Sequence, residues 1–146
     1  MDDPIRKITL RVVYVDEHLV QLECQALLGT WSGVAQAYTT QREVREFGTE
    51  LEQFSATLQG QATWECGDDN GIGLIGLRLY TIDRACHVAC QVRLAKATAT
   101  VHRPGEIWRL SAEMGTEAGQ VARFAQQLAK LAERESGEAI LAGLVD

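Results

Sequence analysis

Four cysteines and three histidines are the side chains here that are best suited to metal chemistry. Cys86, His87 and Cys90 lie close together, and Cys66 or His102 could complete a set of four zinc ligands. Structural zinc sites use paired Cys-x-x-Cys spacing, whereas this spacing is Cys-x-x-x-Cys on a predicted strand, with the cysteines about 13 Å apart. One zinc ion cannot join them through bonds of about 2.3 Å. The sequence therefore favours buried, reduced thiols and predicts neither a metal site nor a cofactor.

Aspartates and histidines could also act as general acids or bases. Asp68, Asp69 and Asp83 all fall in predicted turns, where aspartate is favoured because it bonds the local backbone. The histidines lack a partner nearby in sequence: His18, His87 and His102. The G-x-S-x-G, P-loop and HExxH motifs do not occur. We therefore assign no catalytic residue and expect a protein that is not an enzyme.

The segment 71–76, GIGLIG, matches the pattern G-x-G-x-x-G. A dinucleotide site requires this motif to follow a strand and to open a helix. Here it follows a polar turn and leads into a strand. We expect Gly73 and Gly76 to permit a bulge or a close backbone contact instead.

Acidic residues cluster on one predicted helix and in the turn that follows the next strand. One interpretation is a solvated helix face and a solvated turn. The other is a patch that meets a basic protein partner and steers its association. On the second interpretation the partner-binding residues are Glu43, Glu46, Glu50, Glu52, Asp68 and Asp69.

Three tryptophans lie in predicted strands: Trp31, Trp64 and Trp108. We expect each of them to pack in the core. An exposed tryptophan would instead be a candidate contact residue, because tryptophan is enriched in interface hot spots.

Two amphipathic helices organise the predicted fold. Thr40 and Glu43 form a capping box. Apolar residues then recur at spacings of three and four and predict a helix over 40–58: Val44, Phe47, Leu51, Phe54 and Leu58. We expect Thr116 to cap a second helix over 117–135, which has an equivalent stripe: Val121, Phe124, Leu128 and Leu131.

The remaining segments alternate between apolar and polar residues, as half-buried strands do. The predicted strands cover 8–15, 19–28, 31–39, 61–66, 72–80, 85–94 and 106–114. Short turns join them, so we expect antiparallel pairing in a single α+β domain, 1–146, with about six or seven strands and both helices packed on the sheet. Residues 1–4 are predicted to be a flexible lead-in, and 138–146 an apolar tail. The order of elements resembles two half-units, but no convincing sequence repeat is recognised.

The composition narrows the functional classes. The chain has 146 residues, with 14 Lys and Arg against 20 Asp and Glu, a net charge of −6. Contacts with phosphate groups need clustered cationic side chains. The net negative charge therefore argues against nucleic acid and anionic membranes as partners. We find no apolar run of about 18 residues and no signal-peptide stretch, and we expect a cytoplasmic protein.

The helix pattern V-x-x-F-x-x-x-L-x-x-F over 44–54, the strand HVACQVRL over 87–94 and the helix VARFAQQLAKL over 121–131 resemble WapI-type and related small bacterial immunity-protein domains. The likeness spans about 10–131. It implies a non-enzymatic protein that binds a cognate toxin domain and blocks it, and an acidic scaffold is suited to covering a basic groove. The alternative is a small-ligand-binding or structural subunit, with a possible homodimer joined through 139–145.

Overall fold

The computed structural model describes residues 5–68, 73–97 and 106–144. They form two helices and eight strands, so the α+β class is confirmed. In chain order the elements are β1 (Arg6–Val15), β2 (Val20–Leu28), β3 (Trp31–Thr39), α1 (Gln41–Thr57), β4 (Gln61–Gly67), β5 (Gly73–Thr81), β6 (His87–Ala97), β7 (Ile107–Glu117), α2 (Ala118–Arg134) and β8 (Glu138–Ala142).

The strands form two antiparallel sheets of four, in the orders β3-β2-β1-β8 and β4-β5-β6-β7. Buried side chains from both sheets and both helices form one hydrophobic cluster. The predicted antiparallel strands with two packed helices are confirmed, and the described residues contain eight strands in two sheets, one more than the expected six or seven because the apolar tail supplies β8. Ala139 and Leu141 of β8 are fully buried, since this strand pairs with β1.

Helix α1 begins with one of the two bonds of the predicted capping box, and the Glu43 carboxylate bonds Thr39 instead of the backbone of Thr40. The backbone N–H of Glu43 donates to Thr40 Oγ1 at 3.1 Å, and Leu58 ends the helix in a left-handed conformation. The carboxylate of Glu43 accepts from the hydroxyl of Thr39 at 2.6 Å. The predicted stripe is buried at Val44, Phe47, Leu51 and Phe54, while Leu58 is half-buried.

Helix α2 begins differently from the prediction. Its N-cap is Glu117, which makes no side-chain cap bond, so the expectation that Thr116 caps the helix is wrong. Strand β7 continues through Thr116, whose hydroxyl is buried and donates to the carbonyl of Ala142 in β8 at 2.7 Å. The threonine therefore ties the end of β7 to β8.

The chain consists of two halves with the same order of elements. Each half is a three-stranded meander, a helix and a final strand. The final strand of the first half, β4, pairs with β5 of the second half, and the final strand of the second half, β8, pairs with β1 of the first. Each half thus completes the sheet of the other.

The two halves also share a weak sequence repeat. The expectation that no convincing repeat is present is therefore wrong. The residues of β3, α1 and the start of β4 align with those of β7, α2 and the start of β8 at one constant difference in residue number. The identical pairs are Trp31/Trp108, Ala35/Ala112, Thr39/Thr116, Val44/Val121, Phe47/Phe124, Leu51/Leu128, Gly60/Gly137 and Ala62/Ala139. The other paired positions differ, so the repeat is visible only when the topology fixes the alignment.

Equivalent positions share structural roles. The carboxylate of Glu50 in α1 accepts the backbone N–H of Thr63 in β4 at 3.1 Å. At the matching positions, the amide oxygen of Gln127 accepts the backbone N–H of Ile140 in β8 at 2.7 Å. In both halves, therefore, the helix binds the final strand through one side-chain acceptor, which need not be charged.

Candidate functional site

An open groove of about 250 Å³ runs between α1 and the edge strand β4, and we call it the acidic groove. Helix α1 supplies one wall and β4 the other. Its lining contains four carboxylates, two aromatic rings and one hydroxyl: Glu43, Glu46, Glu50, Glu65, Phe47, Trp64 and Thr63.

The helical wall follows from residue spacing. Glu43, Glu46 and Glu50 are separated by three and four positions, which places them on one face of α1. Glu46 pairs with Arg42 of the same helix at 2.8 Å, and its side chain is 61% exposed. In the described part of the chain, Glu43 and Glu50 accept hydrogen bonds from uncharged groups, a hydroxyl and a backbone N–H.

Strand β4 presents alternate residues to opposite sides. Glu65 is exposed and accepts from Arg93 of β6. Trp64 turns toward the helix and stacks on Phe47, with ring centroids 5.3 Å apart and planes 20° apart. The indole N–H of Trp64 is buried, and no acceptor for it lies within residues 5–68, 73–97 and 106–144. An unbonded buried donor is costly, so this N–H is a local loss of stability on the core side of the groove wall.

Two carboxylates of the groove act on a buried thiol of β4. Burial raises the pKa of Cys66, the next inward residue of β4 after Trp64, to about 12. The charges of Glu43 and Glu65 raise it further. Of the four carboxylates, Glu46 and Glu65 are each paired with an arginine. The other two, Glu43 and Glu50, have no cationic partner among the residues that the structure describes.

The matching positions of the second half carry none of the four carboxylates and no indole. The constant shift replaces the glutamates of α1 and β4, and the tryptophan, with residues of other charge or polarity: Gln120, Arg123, Gln127, Leu141 and Ala142. Because the two halves share one scaffold, the fold itself requires neither the acidic charges nor the indole.

The structure brings together three of the six acidic residues that the sequence indicated, namely Glu43, Glu46 and Glu50. Glu52 is exposed on α1 but does not line the groove. Asp68 follows β4, where its backbone N–H donates to the carbonyl of Gly73, and it also lies outside the groove lining. Asp69 lies outside the described residues.

Glu65 was missed by the sequence-based prediction. It alternates with Trp64 in a short strand, and that pattern does not show which helix the strand borders. The structure shows that β4 borders α1, because Glu50 of the helix accepts the backbone N–H of Thr63, which lies two residues before Glu65.

The cysteines do not converge on a metal site. Cys24, Cys66 and Cys90 are buried, as expected, and burial raises the pKa of Cys90 to about 12. Cys86 is exposed, contrary to expectation, because β6 begins only at His87 and Cys86 ends the preceding turn. Within the described ranges, no three His, Cys, Asp or Glu side chains are placed to hold a metal ion.

We expect a single thiol of the native protein to react rapidly with Ellman's reagent. Cys86 is exposed, whereas the other three are buried, and thiolates are the reactive species. Denaturation should release four reactive thiols, and Cys86→Ser should abolish the fast native reaction. Rapid reaction of a second thiol in the native protein would contradict the buried placement.

One histidine has a partner that the sequence analysis did not find. His87 Nδ1 lies 2.8 Å from Asp83 Oδ2, across the turn that precedes β6. This bond, together with the backbone N–H of Ala85, lowers the pKa of Asp83. Both side chains are more than 40% exposed, and the turn holds them on the surface.

The expectation that all three tryptophans pack in the core is wrong for two of them. Trp31 is 75% and Trp108 64% exposed, whereas Trp64 is partly buried against Phe47. The exposed pair occupies equivalent positions near the starts of β3 and β7, where the strands extend beyond the buried part of each sheet.

No protein-family model matches the chain, and no curated protein or solved structure matches it significantly. The resemblance to the immunity-protein domains stays a prediction. In the part of the chain that the structure describes, neither helix is long and apolar enough to cross a membrane.

Proposed function

We propose that this chain is a non-enzymatic binding protein that takes a basic segment of a protein partner into the acidic groove. The observation that carries the proposal is the difference between the halves. Four carboxylates and the Trp64 ring line one groove, and the same scaffold lacks all five groups in the other half.

The groove provides complementary contacts for a basic segment. Lysine or arginine side chains of the partner would pair with Glu43 and Glu50, which have no cationic partner in the described part of the chain. The acidic surface would also raise the rate of encounter with a basic partner.

Occlusion is the mode of action that fits such binding. An acidic protein seated on a basic surface, such as the substrate groove of a toxin nuclease domain, would exclude that surface from its own substrate. The alternative of a dimer joined through the apolar tail has less support, because Ala139 and Leu141 are buried in the chain's own core.

The decisive experiment measures binding of a fluorescein-labelled arginine-rich peptide by anisotropy over a range of salt concentrations. We expect Glu43→Gln/Glu50→Gln to weaken binding by about 10- to 100-fold, since close charge pairs can each contribute more than 1 kcal/mol. The second half carries glutamine at both matching positions, so the variant should fold normally.

The control is Glu52→Gln/Glu133→Gln, which removes two exposed charges from the helices outside the groove. This control should bind like the wild type. Equal weakening by both double variants would show only general attraction to an acidic protein, and would overturn the assignment to the groove.

A further inference from the structure

Each sheet ends in two edge strands, and other parts of the molecule contact three of these four edges. Glu50 of α1 accepts a backbone N–H of β4, and Gln127 of α2 accepts one of β8. The edge of β3 abuts the other sheet, since the carbonyl oxygen of Gln36 lies 2.5 Å from the position that a Cβ on Gly73 would occupy. Strand β7 is the fourth edge, and it differs from the other three.

One hydrogen bond shows which backbone groups of β7 lie at this edge. The N–H of Leu144, which follows β8, donates to the carbonyl of Gly115 at 2.7 Å, on the side of β7 that faces away from β6. Backbone groups alternate between the two sides of a strand, so Ile107, Ser111 and Glu113 also direct their N–H and C=O groups away from β6. In the described part of the chain, no backbone or side-chain group bonds these outward groups. The edge is therefore closed at Gly115 and open before it.

Strand β7 carries none of the features that usually protect an edge. It has 11 residues, its register with β6 is continuous from Ile107 to Glu117, and it contains no proline. Natural proteins shorten exposed edges, bulge them or place proline in them, because an open edge can pair with a strand of another chain. Trp108, which is 64% exposed, also lies on this strand, and tryptophan is enriched in interface hot spots. The strand therefore has the properties of an interaction surface.

We propose that two copies of the chain associate by antiparallel pairing of 107–113 with the same segment of the second copy, about a twofold axis. Such an interface is isologous, since both copies use the same patch. The bond from Leu144 closes the edge at Gly115, so the pairing that uses the whole open segment has its axis at Leu110. The two sheets β4-β5-β6-β7 then form one continuous sheet of eight strands.

The side chains of this segment are complementary to themselves in that pairing. On the outer face, Arg109 lies opposite Ser111 of the second copy and diagonal to its Glu113. Like charges directly opposite each other would be destabilising, and this pairing places none there. On the inner face, the exposed Trp108 lies opposite the small Ala112 of the second copy. Charge and side-chain size therefore both favour a second copy as the occupant of this edge.

The inference does not rest on the acidic groove. Strand β4, which forms one wall of that groove, lies at the opposite edge of the sheet from β7. Both surfaces can therefore be used at once, and each dimer would carry two acidic grooves. Glu43→Gln/Glu50→Gln should leave self-association unchanged, so failure of the acidic-groove proposal is distinguishable from failure of this one.

The test is sedimentation velocity of the full chain at concentrations from about 10 μM to about 1 mM. A reducing agent excludes a disulfide through the exposed Cys86. We expect the weight-average sedimentation coefficient to rise with concentration from the value of a monomer to that of a dimer. A chain that stays monomeric throughout this range, or that assembles beyond a dimer, would overturn the inference.

Two charge substitutions at Ser111 have opposite expected effects. Ser111→Glu places a carboxylate opposite Arg109 of the second copy, twice in each dimer, and should tighten the dimer by about three- to tenfold. Ser111→Lys places like charges there and should weaken the dimer by a similar factor. The chain has a net charge of −6, so general repulsion between copies would give the reverse order. That reverse order would contradict the pairing of Ser111 with Arg109.

The two exposed tryptophans provide a matched comparison. Trp108→Ala should weaken the dimer by about tenfold or more, because the second copy covers this indole. Trp31→Ala removes the equivalent side chain from β3, whose edge abuts the other sheet, and should leave the dimer unchanged. Both side chains are largely exposed, so neither variant should unfold the chain. Equal weakening by both variants would show only general attraction between apolar surfaces, and would overturn the assignment to β7.

Discussion

Replacement of Phe124 by alanine is expected to lower the free energy of unfolding by about 3–5 kcal/mol. Phe124 is fully buried and is among the largest side chains with no exposure, at the centre of the α2 stripe. Truncation removes its transfer free energy and leaves a cavity that the surrounding core cannot fully close. Domains are typically stable by only 5–15 kcal/mol, so this variant should be close to the limit of folding.

Urea unfolding followed by circular dichroism measures the effect. The control is Trp31→Ala, which removes a larger aromatic side chain that is 75% exposed. It should change stability by about 0.5 kcal/mol or less. If Phe124→Ala and Trp31→Ala lowered the free energy of unfolding equally, the placement of Phe124 in the core would be contradicted.

Gly73→Ala should be strongly destabilising for so small a substitution, with a cost of about 3 kcal/mol. A Cβ at this position would lie 2.5 Å from the carbonyl oxygen of Gln36 and 2.7 Å from that of Ala95. Both are backbone atoms, one in β3 and one in β6, so the strands would have to separate. The close backbone contact expected from the sequence is confirmed at Gly73.

Gly76→Ala is the matched control, since it makes the same change three residues later in β5. The added methyl group would meet only the flexible side chain of Arg93. It should be neutral or stabilising by up to about 1 kcal/mol, because alanine restricts the unfolded chain. The melting temperatures of the two variants measure the difference. If both fell equally, strand propensity, and not the contact with Gln36 and Ala95, would account for the destabilisation.

Local patterns were sufficient to predict most of the elements. The spacing of Val44, Phe47, Leu51 and Phe54 predicted α1, and alternation located seven of the eight strands. The five residues of β8 were interpreted as a tail, because a short apolar segment after a helix carries no mark of its partner strand. Its partner is β1, at the opposite end of the described chain.

The candidate site was only partly predictable for the same reason. The positions of Glu43, Glu46 and Glu50 follow from helical geometry, so their common face could be foreseen. Glu65 joins them only because α1 lies beside β4, which is a tertiary contact.

The exchange of final strands also has a consequence for synthesis on the ribosome. Ile8 of β1 pairs with Leu141 of β8, so the two strands are made about 130 residues apart. At 5–20 residues per second, β1 waits on the order of ten seconds for its partner. During that interval β1 is an open edge of the nascent sheet, available to other chains. A cell that makes this protein would therefore benefit from a chaperone that shields β1 until the second half has emerged.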